Sequence, residues 1–155
     1  MGFGRIIRFT GVACALGMAL AAPADASPGG AQWTSAGGDR TNTRFQASEH
    51  EISPATAGDL DVDWVVETGG DVSATPAVDE ERVYFPDWSG NLYAVDRDTG
   101  EVVWARTIPG YTGIPGDKAR ATPAISGDML VIGNQGPFGG GGKILGIDKN
   151  TGDLR

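Results

Sequence analysis

The sequence predicts an all-β protein, and three observations support this fold class. Glycine is frequent, with 25 residues among 155, and charged residues make up only 21% of the chain, which suits short strands joined by tight turns. An apolar run over residues 91–96 leads into a turn, and a second run over residues 101–106 leaves it. The third observation is an internal repeat, because the spacing Asp-x-x-Thr-Gly that begins at Asp96 occurs again at Asp148.

The first 26 residues are predicted to be a secretory signal peptide. Arg5 and Arg8 form a positive n-region, residues 10–22 form an apolar h-region, and Ala24-Asp25-Ala26 fits an A-x-A cleavage site. The h-region is shorter than the roughly 20 residues that span a bilayer, so we predict cleavage after Ala26 and no stable membrane anchor. The mature protein is then expected in the periplasm or outside the cell.

The single cysteine and the charge balance exclude several kinds of site. Cys14 lies inside the h-region, so this segment of the mature protein offers no disulfide, no thiolate metal site and no haem attachment motif. The signal segment carries a net charge of +1, so its removal changes the formal net charge from −8 to −9. Because nucleic-acid backbones are bound by Lys and Arg, this acidic balance predicts that nucleic acid is not a partner.

A leader, residues 31–68, follows the signal segment and precedes the repeats. Ser53 and Pro54 predict a short helical turn, with Ser53 as the N-cap and Pro54 at the first helical position. Residues 60–67 alternate apolar and polar side chains for most of their length, which predicts a half-buried strand that ends at Gly69-Gly70.

The internal repeat extends well beyond the turn. Residues 73–78 return as residues 120–125, and the apolar run at 83–85 returns at 130–132, in both cases 47 residues later. The two turn aspartates are 52 residues apart, so the second copy carries five additional residues, which fit the glycine tract 139–142. A repeat of about 40–50 residues with four short strands in each unit is typical of the blades of a β-propeller.

The repeat boundaries predict one complete blade and most of a second one. The first blade, residues 73–107, has predicted strands at 74–78, 83–86, 91–95 and 102–107, with the first strand innermost and the last outermost. Residues 120–155 hold most of the second blade. Because a blade cannot bury both of its faces alone, and a propeller closes with at least about four blades, we expect this chain to be the N-terminal part of a longer propeller.

The motif Ala-x-Asp-x-x-Thr-Gly-x-x-x-Trp at residues 94–104 resembles the repeat of pyrroloquinoline-quinone (PQQ) enzymes, in which the tryptophan docks against the adjoining blade. The leader is similar to the N-terminus of quinoprotein alcohol dehydrogenases, through Trp33, Asn42-Thr-Arg44 and Trp64. Further segments are most similar to the polyvinyl-alcohol-dehydrogenase-like branch, namely residues 75–78, 84–88 and 108–113. The resemblance implies a PQQ-type β-propeller of about seven or eight blades when complete, of which this chain is an N-terminal fragment.

The resemblance also implies a function and its cofactors. It indicates a periplasmic PQQ-dependent alcohol dehydrogenase that oxidises an alcohol by hydride transfer to PQQ, with Ca²⁺ beside the quinone and cytochrome c as the electron acceptor. In the family, the metal ligands and the catalytic base come from later blades, so neither is placed in this chain, and this segment alone is expected to be inactive. The chain therefore supplies no catalytic or metal-ligating residue at this stage.

Arg120 is the candidate cofactor-binding residue. The family often has an arginine where the inner strand of the second blade begins, in contact with the quinone oxygens, and Arg120 stands at that position. Arginine suits this role because its fixed charge and forked donors match adjacent carbonyl and carboxylate oxygens. The alternative is a structural arginine, paired with Asp117 or with a neighbouring blade.

Two departures and two open questions remain at this stage. Ser73 stands where methanol-dehydrogenase-type members have an acid, and a segment without cysteine cannot supply their vicinal disulfide, so the methanol type is disfavoured. Trp64 and Trp104 are predicted to pack between blades, whereas Trp88 is left open between packing and cofactor stacking. The alternative function is a non-catalytic PQQ-repeat propeller that serves as a scaffold or binding module in the cell envelope.

Overall fold

The computed structural model describes residues 32–136 and 141–155, so the predicted signal peptide lies outside the described residues. The described residues form two antiparallel sheets and very little helix, which confirms the predicted all-β class. No helix within these two ranges is long and apolar enough to cross a bilayer.

The first sheet has the strand order β1-β2-β3-β4. Its strands are β1 Ala77–Val78, β2 Arg82–Pro86, β3 Asn91–Asp96 and β4 Val102–Thr107. The last three lie within one residue of their predicted bounds. The predicted start of the first strand at residue 74 is wrong, and β1 begins only after Pro76, because proline has no N–H to donate to a strand ladder.

The second sheet has the strand order β5-β6-β7. Its strands are β5 Ala124–Ser126, β6 Met129–Gly133 and β7 Ile144–Asp148. After β7 the chain turns and comes back alongside it, with a single bridge between Ile147 and Leu154. This sheet therefore repeats the topology of the first one up to the start of its fourth strand.

A short helix that the sequence analysis did not predict joins the two sheets. Helix α1, Ile108–Thr112, begins after Thr107, whose Oγ1 accepts a hydrogen bond from Gly110 N at 3.1 Å. It ends at Gly113, which adopts a φ of 72°. A threonine N-cap, a proline in the first turn and a glycine just past the end are the usual boundaries of a helix, so this signal was present in the sequence.

The leader is mostly irregular and differs from its prediction in one respect. The predicted turn opens at Ser53, whose Oγ accepts from Thr56 N at 3.3 Å, and it continues into a 3-10 helix at Ala57–Asp59. The strand predicted over residues 60–67 is wrong, because no strand of the described residues lies beside it to form a ladder. The alternating pattern still separates buried from exposed side chains near its end, because Val66 packs on the first sheet while the neighbouring Val65 is 77% exposed.

The beginning of the leader joins the innermost strands of both sheets. Trp33 N donates to Val78 O, and Val78 N donates to Trp33 O, each at 2.8 Å. The next residue, Thr34, accepts a hydrogen bond from Ile125 N at 2.9 Å. A single extended segment therefore holds β1 and β5 together at the inner edge of the two sheets.

The main core lies between the two sheets. It is formed by one face of the first sheet, one face of the second sheet and the connection between them: Tyr84, Leu92, Ala94, Trp104, Ile108, Ala119, Leu130, Ile132, Leu145 and Ile147. A smaller cluster covers the opposite face of the first sheet, where Phe85, Tyr93 and Val95 pack against Trp64 and Val66 of the leader. The first sheet is thus apolar on both faces, as a sheet between two neighbours must be.

Candidate functional site

The two sheets have two ends with different chemistry, which we name here. The turn end holds the loops that follow the inner strands and the repeated Asp-x-x-Thr-Gly turns, residues 79–82, 96–101, 126–129 and 148–153. The loop end lies on the opposite side, where the inner strands begin, and comprises residues 71–76, 87–91, 117–123 and 134–136. Strand pairing sets these positions, because each antiparallel hairpin returns the chain to the end from which it came.

At the turn end, the repeated aspartates organise their own turns. Asp96 Oδ1 accepts from Thr99 N and Thr99 Oγ1, both at 2.9 Å, and from Asp98 N at 3.1 Å. These bonds, with that from the Thr99 hydroxyl as the strongest, hold the pKa of Asp96 below its usual value. Asp148 accepts in the same way from Asn150 N at 2.8 Å and Thr151 N at 3.1 Å.

The tryptophans Trp64 and Trp104 dock on these turns. Trp104 Nε1 donates to Lys149 O, and Trp64 Nε1 donates to Arg97 O, each at 2.9 Å. Both indole rings also lie against the turn glycine. A Cβ atom on Gly152 would lie 2.9 Å from the Trp104 ring, and one on Gly100 would lie 2.7 Å from Trp64. The predicted packing role of Trp64 and Trp104 is confirmed.

A buried ion pair also joins the two sheets at the turn end. Lys149 Nζ lies 2.9 Å from Asp79 Oδ2, which also accepts from the Tyr84 hydroxyl at 3.1 Å. Burial raises the pKa of Asp79, but the hydrogen bonds from Lys149 and from the backbone outweigh it, so the pKa is lowered overall. Burial and the Asp79 charge raise the pKa of Tyr84. This ion pair therefore helps to hold the two sheets together.

At the loop end, two buried carboxylates fix the backbone. Asp87 accepts from Asn91 N at 2.8 Å, from Gly69 N at 3.0 Å and from the Tyr93 hydroxyl at 3.1 Å. Burial alone raises the pKa of Asp87, yet these hydrogen bonds lower it overall. The β2–β3 hairpin is therefore held rigidly at its tip.

Asp117 has the corresponding role in the second sheet. It accepts from Asn134 Nδ2 at 2.7 Å, from Lys118 N at 2.9 Å and from Gly136 N at 3.1 Å. As for Asp87, burial raises the pKa of Asp117, but the hydrogen bonds outweigh burial and the pKa is lowered overall. No ion pair joins Asp117 to Arg120 in the described part of the chain.

Arg120 lies exposed at the loop end, and its guanidinium carbon is 4.3 Å from the centre of the Trp88 ring. Lys118 Nζ lies 5.3 Å from the same ring centre. The Trp88 indole is held in turn by Ser73, because Nε1 donates to Ser73 Oγ at 2.9 Å. The close approach of the two sheets beside this contact depends on Gly90. A Cβ atom on Gly90 would lie 2.6 Å from Asp117 O, so a larger residue would push the two sheets apart.

An open cavity of about 540 Å³ adjoins Arg120. It is lined by hydroxyl, amide, guanidinium and small side chains: Ser73, Arg120, Ala121, Gly133, Asn134 and Gln135. No carboxylate is among these lining residues, and Arg120 is the charged side chain among them, although the buried Asp117 carboxylate lies behind Asn134. A site with hydrogen-bond donors and a fixed positive charge fits a small anionic ligand rich in oxygen atoms, which is the chemistry of a carboxylated quinone.

Arg120 is predictable from the sequence, but most of its surroundings are not. Ser73 appeared in the sequence only as a departure from the methanol-dehydrogenase pattern, and Lys118, Asn134 and Gln135 were not singled out. Their residue types carry no periodic signal, because they meet only through the packing of two separate sheets. In the described residues there is no group of three or more His, Cys, Asp or Glu side chains arranged to hold a metal ion.

Two docked sheets of the same topology, with Trp104 of the first sheet on the glycine turn of the second and Trp64 of the leader on the glycine turn of the first, are typical of a repeat-built β-propeller. A family model described as "Outer membrane protein assembly factor BamB" matches residues 25–155. The chain therefore belongs to this family of PQQ-type β-propellers. A search of the curated proteins finds no match.

Solved structures share the propeller fold. Quinohemoprotein alcohol dehydrogenase from Comamonas testosteroni is 22% identical, with a TM-score of 0.52, over 79% of this chain and 26% of that one. A europium-containing methanol dehydrogenase is 18% identical, with a TM-score of 0.50, over 80% and 31%. BamB from Moraxella catarrhalis is 21% identical, with a TM-score of 0.49, over 61% and 25%. The aligned part of this chain thus spans about a quarter to a third of these structures.

Proposed function

We propose that this chain forms the first blades of an exported PQQ-dependent alcohol dehydrogenase, similar to the polyvinyl-alcohol-dehydrogenase-like branch. The observation that carries the proposal is the exposed guanidinium of Arg120, which borders a cavity without a lining carboxylate. In this proposal residues 1–26 are a cleaved signal peptide, residues 31–68 a leader, residues 73–107 the first blade and residues 120–155 most of the second.

The proposed role of this segment is to bind and orient the cofactor. PQQ, when bound, supplies an ortho-quinone that accepts a hydride from the carbon of an alcohol. Arg120 would hold oxygen atoms of the quinone or its carboxylates through its forked donors, and Gln135 would add a neutral donor at the cavity wall. The Ca²⁺ ligands and the catalytic base are proposed to lie outside this segment, and a cytochrome c is the proposed electron acceptor.

The side chain at position 73 favours an alcohol dehydrogenase of a type other than the methanol enzymes. Ser73 borders the cavity and also holds Trp88, so a neutral hydroxyl replaces the acid that methanol-type members carry. A less negative cavity wall favours the binding of an anionic cofactor in this position.

The test is cofactor binding by the complete protein that carries this chain. We expect the purified apo-protein, titrated with PQQ in the presence of Ca²⁺, to bind it and then to oxidise an alcohol in a dye-linked assay. Arg120→Ala is expected to weaken PQQ binding by about tenfold or more, which is the loss of one or more charge-assisted hydrogen bonds. Arg40→Ala, which removes another exposed cation, is the matched control and should bind PQQ as the wild type does.

A second candidate function is a non-catalytic scaffold or binding module in the cell envelope. The observation that favours it is the family model, whose description names an outer membrane assembly factor. In a scaffold, Arg120 would contact a partner protein, and neither PQQ binding nor alcohol oxidation would occur. A titration in which the complete wild-type protein binds no PQQ would therefore reject the enzyme and favour the scaffold.

A further inference from the structure

Trp88 differs from the tryptophans that dock between the sheets. Its side chain lies at the tip of the β2–β3 hairpin and is 36% exposed, whereas Trp104 is 6% exposed. It belongs to neither of the apolar clusters of the described residues. Packing of the core therefore does not explain why a large aromatic side chain occupies this position.

The contacts of Trp88 hold its ring in one orientation. Its backbone N donates to Asp71 O at 2.9 Å, and its Nε1 donates to Ser73 Oγ at 2.9 Å. The hairpin below it is fixed by the buried Asp87. A chain of contacts thus runs from a buried carboxylate of the first sheet to an indole face that is turned toward the second sheet.

Arg120 of the second sheet lies over that face, 4.3 Å from the ring centre to the guanidinium carbon. A cation over an indole face is attracted by the negative face of the ring, and an unrestrained arginine loses rotamer entropy when a ligand immobilises it. A guanidinium that already rests on a ring loses less of this entropy on binding. Since Arg120 covers one face of the ring, that face is not available for stacking with a cofactor.

We propose that Trp88 is a positioning residue, which holds the guanidinium of Arg120 at the cavity so that it can bind a planar anion with several oxygen atoms. Ser73 sets the angle of the indole ring, and Lys118, 5.3 Å from the ring centre, adds a second positive charge beside the same site. The inference rests on the proposed function, because the anion is taken to be PQQ. It assigns to Trp88 and Ser73 an effect on cofactor affinity that acts through Arg120.

The experiment is a double-mutant cycle on PQQ affinity in the complete protein. The dissociation constant of PQQ is measured by titration of the apo-protein with Ca²⁺ present, for wild type, Trp88→Leu, Arg120→Ala and the double variant. We expect each single substitution to weaken binding by about tenfold, and the double variant to be no weaker than Arg120→Ala alone, because Trp88 acts only through Arg120. Ser73→Ala and Trp88→Phe, which lose the hydrogen bond and keep an aromatic ring, should weaken binding by only about two- to threefold.

The controls separate a positioning role from a general loss of structure. Phe45→Leu removes another exposed aromatic ring, in the leader, and should leave PQQ affinity unchanged. Thermal unfolding of each variant is followed in parallel, and Trp88→Phe supplies the comparison if Trp88→Leu does not fold. Independent, multiplicative losses in the cycle, or wild-type affinity in the Trp88 variants, would overturn the inference and leave the proposed function intact. Absence of PQQ binding by the wild type would overturn both.

Discussion

The turn end and the loop end are built from the same repeat, yet they use their polar side chains differently. At the turn end, Asp79 is paired with Lys149, and the aspartates Asp96 and Asp148 are saturated by their own turns. At the loop end, Asp87 and Asp117 are likewise committed to the backbone, but Arg120 makes no ion pair with any described residue.

This difference separates the parts of the chain that stabilise it from the part that is free to bind. At the turn end, an open cavity of about 440 Å³ is lined by Asp79, Glu80, Glu81 and Asp128 together with Lys149, so its carboxylates disfavour an anionic ligand there. The loop end keeps a rigid, carboxylate-fixed base and presents cations above it. Substitutions should therefore affect stability most at the turn end and ligand binding most at the loop end.

The largest expected loss of stability is at Trp104. Trp104→Ala removes an indole that is 6% exposed and that joins the two sheets, so we expect it to lower the free energy of unfolding by roughly 3–5 kcal/mol. Trp104→Phe, which keeps most of the ring and loses the bond to Lys149 O, should lower it by roughly 1–3 kcal/mol. Denaturant unfolding of the complete protein measures both. A smaller loss of unfolding free energy for Trp104→Ala than for Arg120→Ala would contradict the assignment of stability to the turn end.

The next largest effect is expected at the ion pair between the sheets. Lys149→Met leaves the Asp79 carboxylate, of which 8% is exposed, without its cation, and we expect a loss of about 3 kcal/mol at neutral pH. The double variant Asp79→Asn with Lys149→Met should regain part of this loss, because no buried charge then remains. Lys143→Met, which removes an exposed lysine bonded only to a neutral carbonyl, is the control and should cost less than about 1 kcal/mol.

The same pair gives a dependence of stability on pH. The pKa of Asp79 is lowered in the folded protein, as are those of Asp87 and Asp117. Such a group stabilises the fold fully above the unfolded pKa of about 3.9, and this contribution is lost as the pH falls through the lower folded pKa. We expect thermal stability to fall steeply below about pH 4, and Asp79→Asn to show a shallower fall. Identical slopes for the two proteins would contradict the assigned role of Asp79.

The close approach of Trp64 to its turn is expected to contribute a smaller amount, which is measured as the difference between two glycine variants. Gly100 and Gly116 both have a φ of 73°, but a Cβ on Gly100 would lie 2.7 Å from the Trp64 ring, whereas nothing lies within 4 Å of one on Gly116. Gly116→Ala should cost only the backbone strain of about 1–2 kcal/mol. Gly100→Ala should cost about 1–3 kcal/mol more, because the indole must move. Equal losses for the two variants would show that Trp64 does not dock on this turn.

The smallest effect on stability is expected at Arg120. Its side chain is exposed and its described contact is with Trp88, so Arg120→Ala should change the free energy of unfolding by about 0.5–1 kcal/mol at most. Chemical denaturation of the complete protein checks this value. A loss comparable to that of Lys149→Met would place Arg120 among the structural residues and remove the contrast between the two ends.

Much of the fold was predictable because the relevant interactions are local. The turn at Asp96 closes through bonds to residues two and three positions later, and the strands on either side of it follow from short apolar runs. The start of β1 was misplaced because Pro76 was counted as part of a strand. Residues 60–67 have the alternation of a strand, but an alternating pattern cannot show whether a partner strand lies beside it.

The candidate site could be predicted only at one residue. Arg120 was found through the resemblance of its position to a family pattern, while its contact with Trp88 joins residues that are far apart in the sequence. Gly90 permits that contact because its missing side chain lets the β2–β3 hairpin approach the Asp117 backbone. The need for glycine at this position is therefore set by Asp117, which is distant in the sequence. No local pattern contains that information.

The repeated strands, their aspartate turns and the tryptophans that dock on them follow from the sequence, because period, turn chemistry and glycine placement act over a few neighbouring residues. Only the packing of the two sheets places Trp88 under Arg120 and Asp79 beside Lys149. The physical reason is that these contacts arise where two separately folded sheets pack together. Their partners are therefore set by distance in space, which the order of residues along the chain does not encode locally.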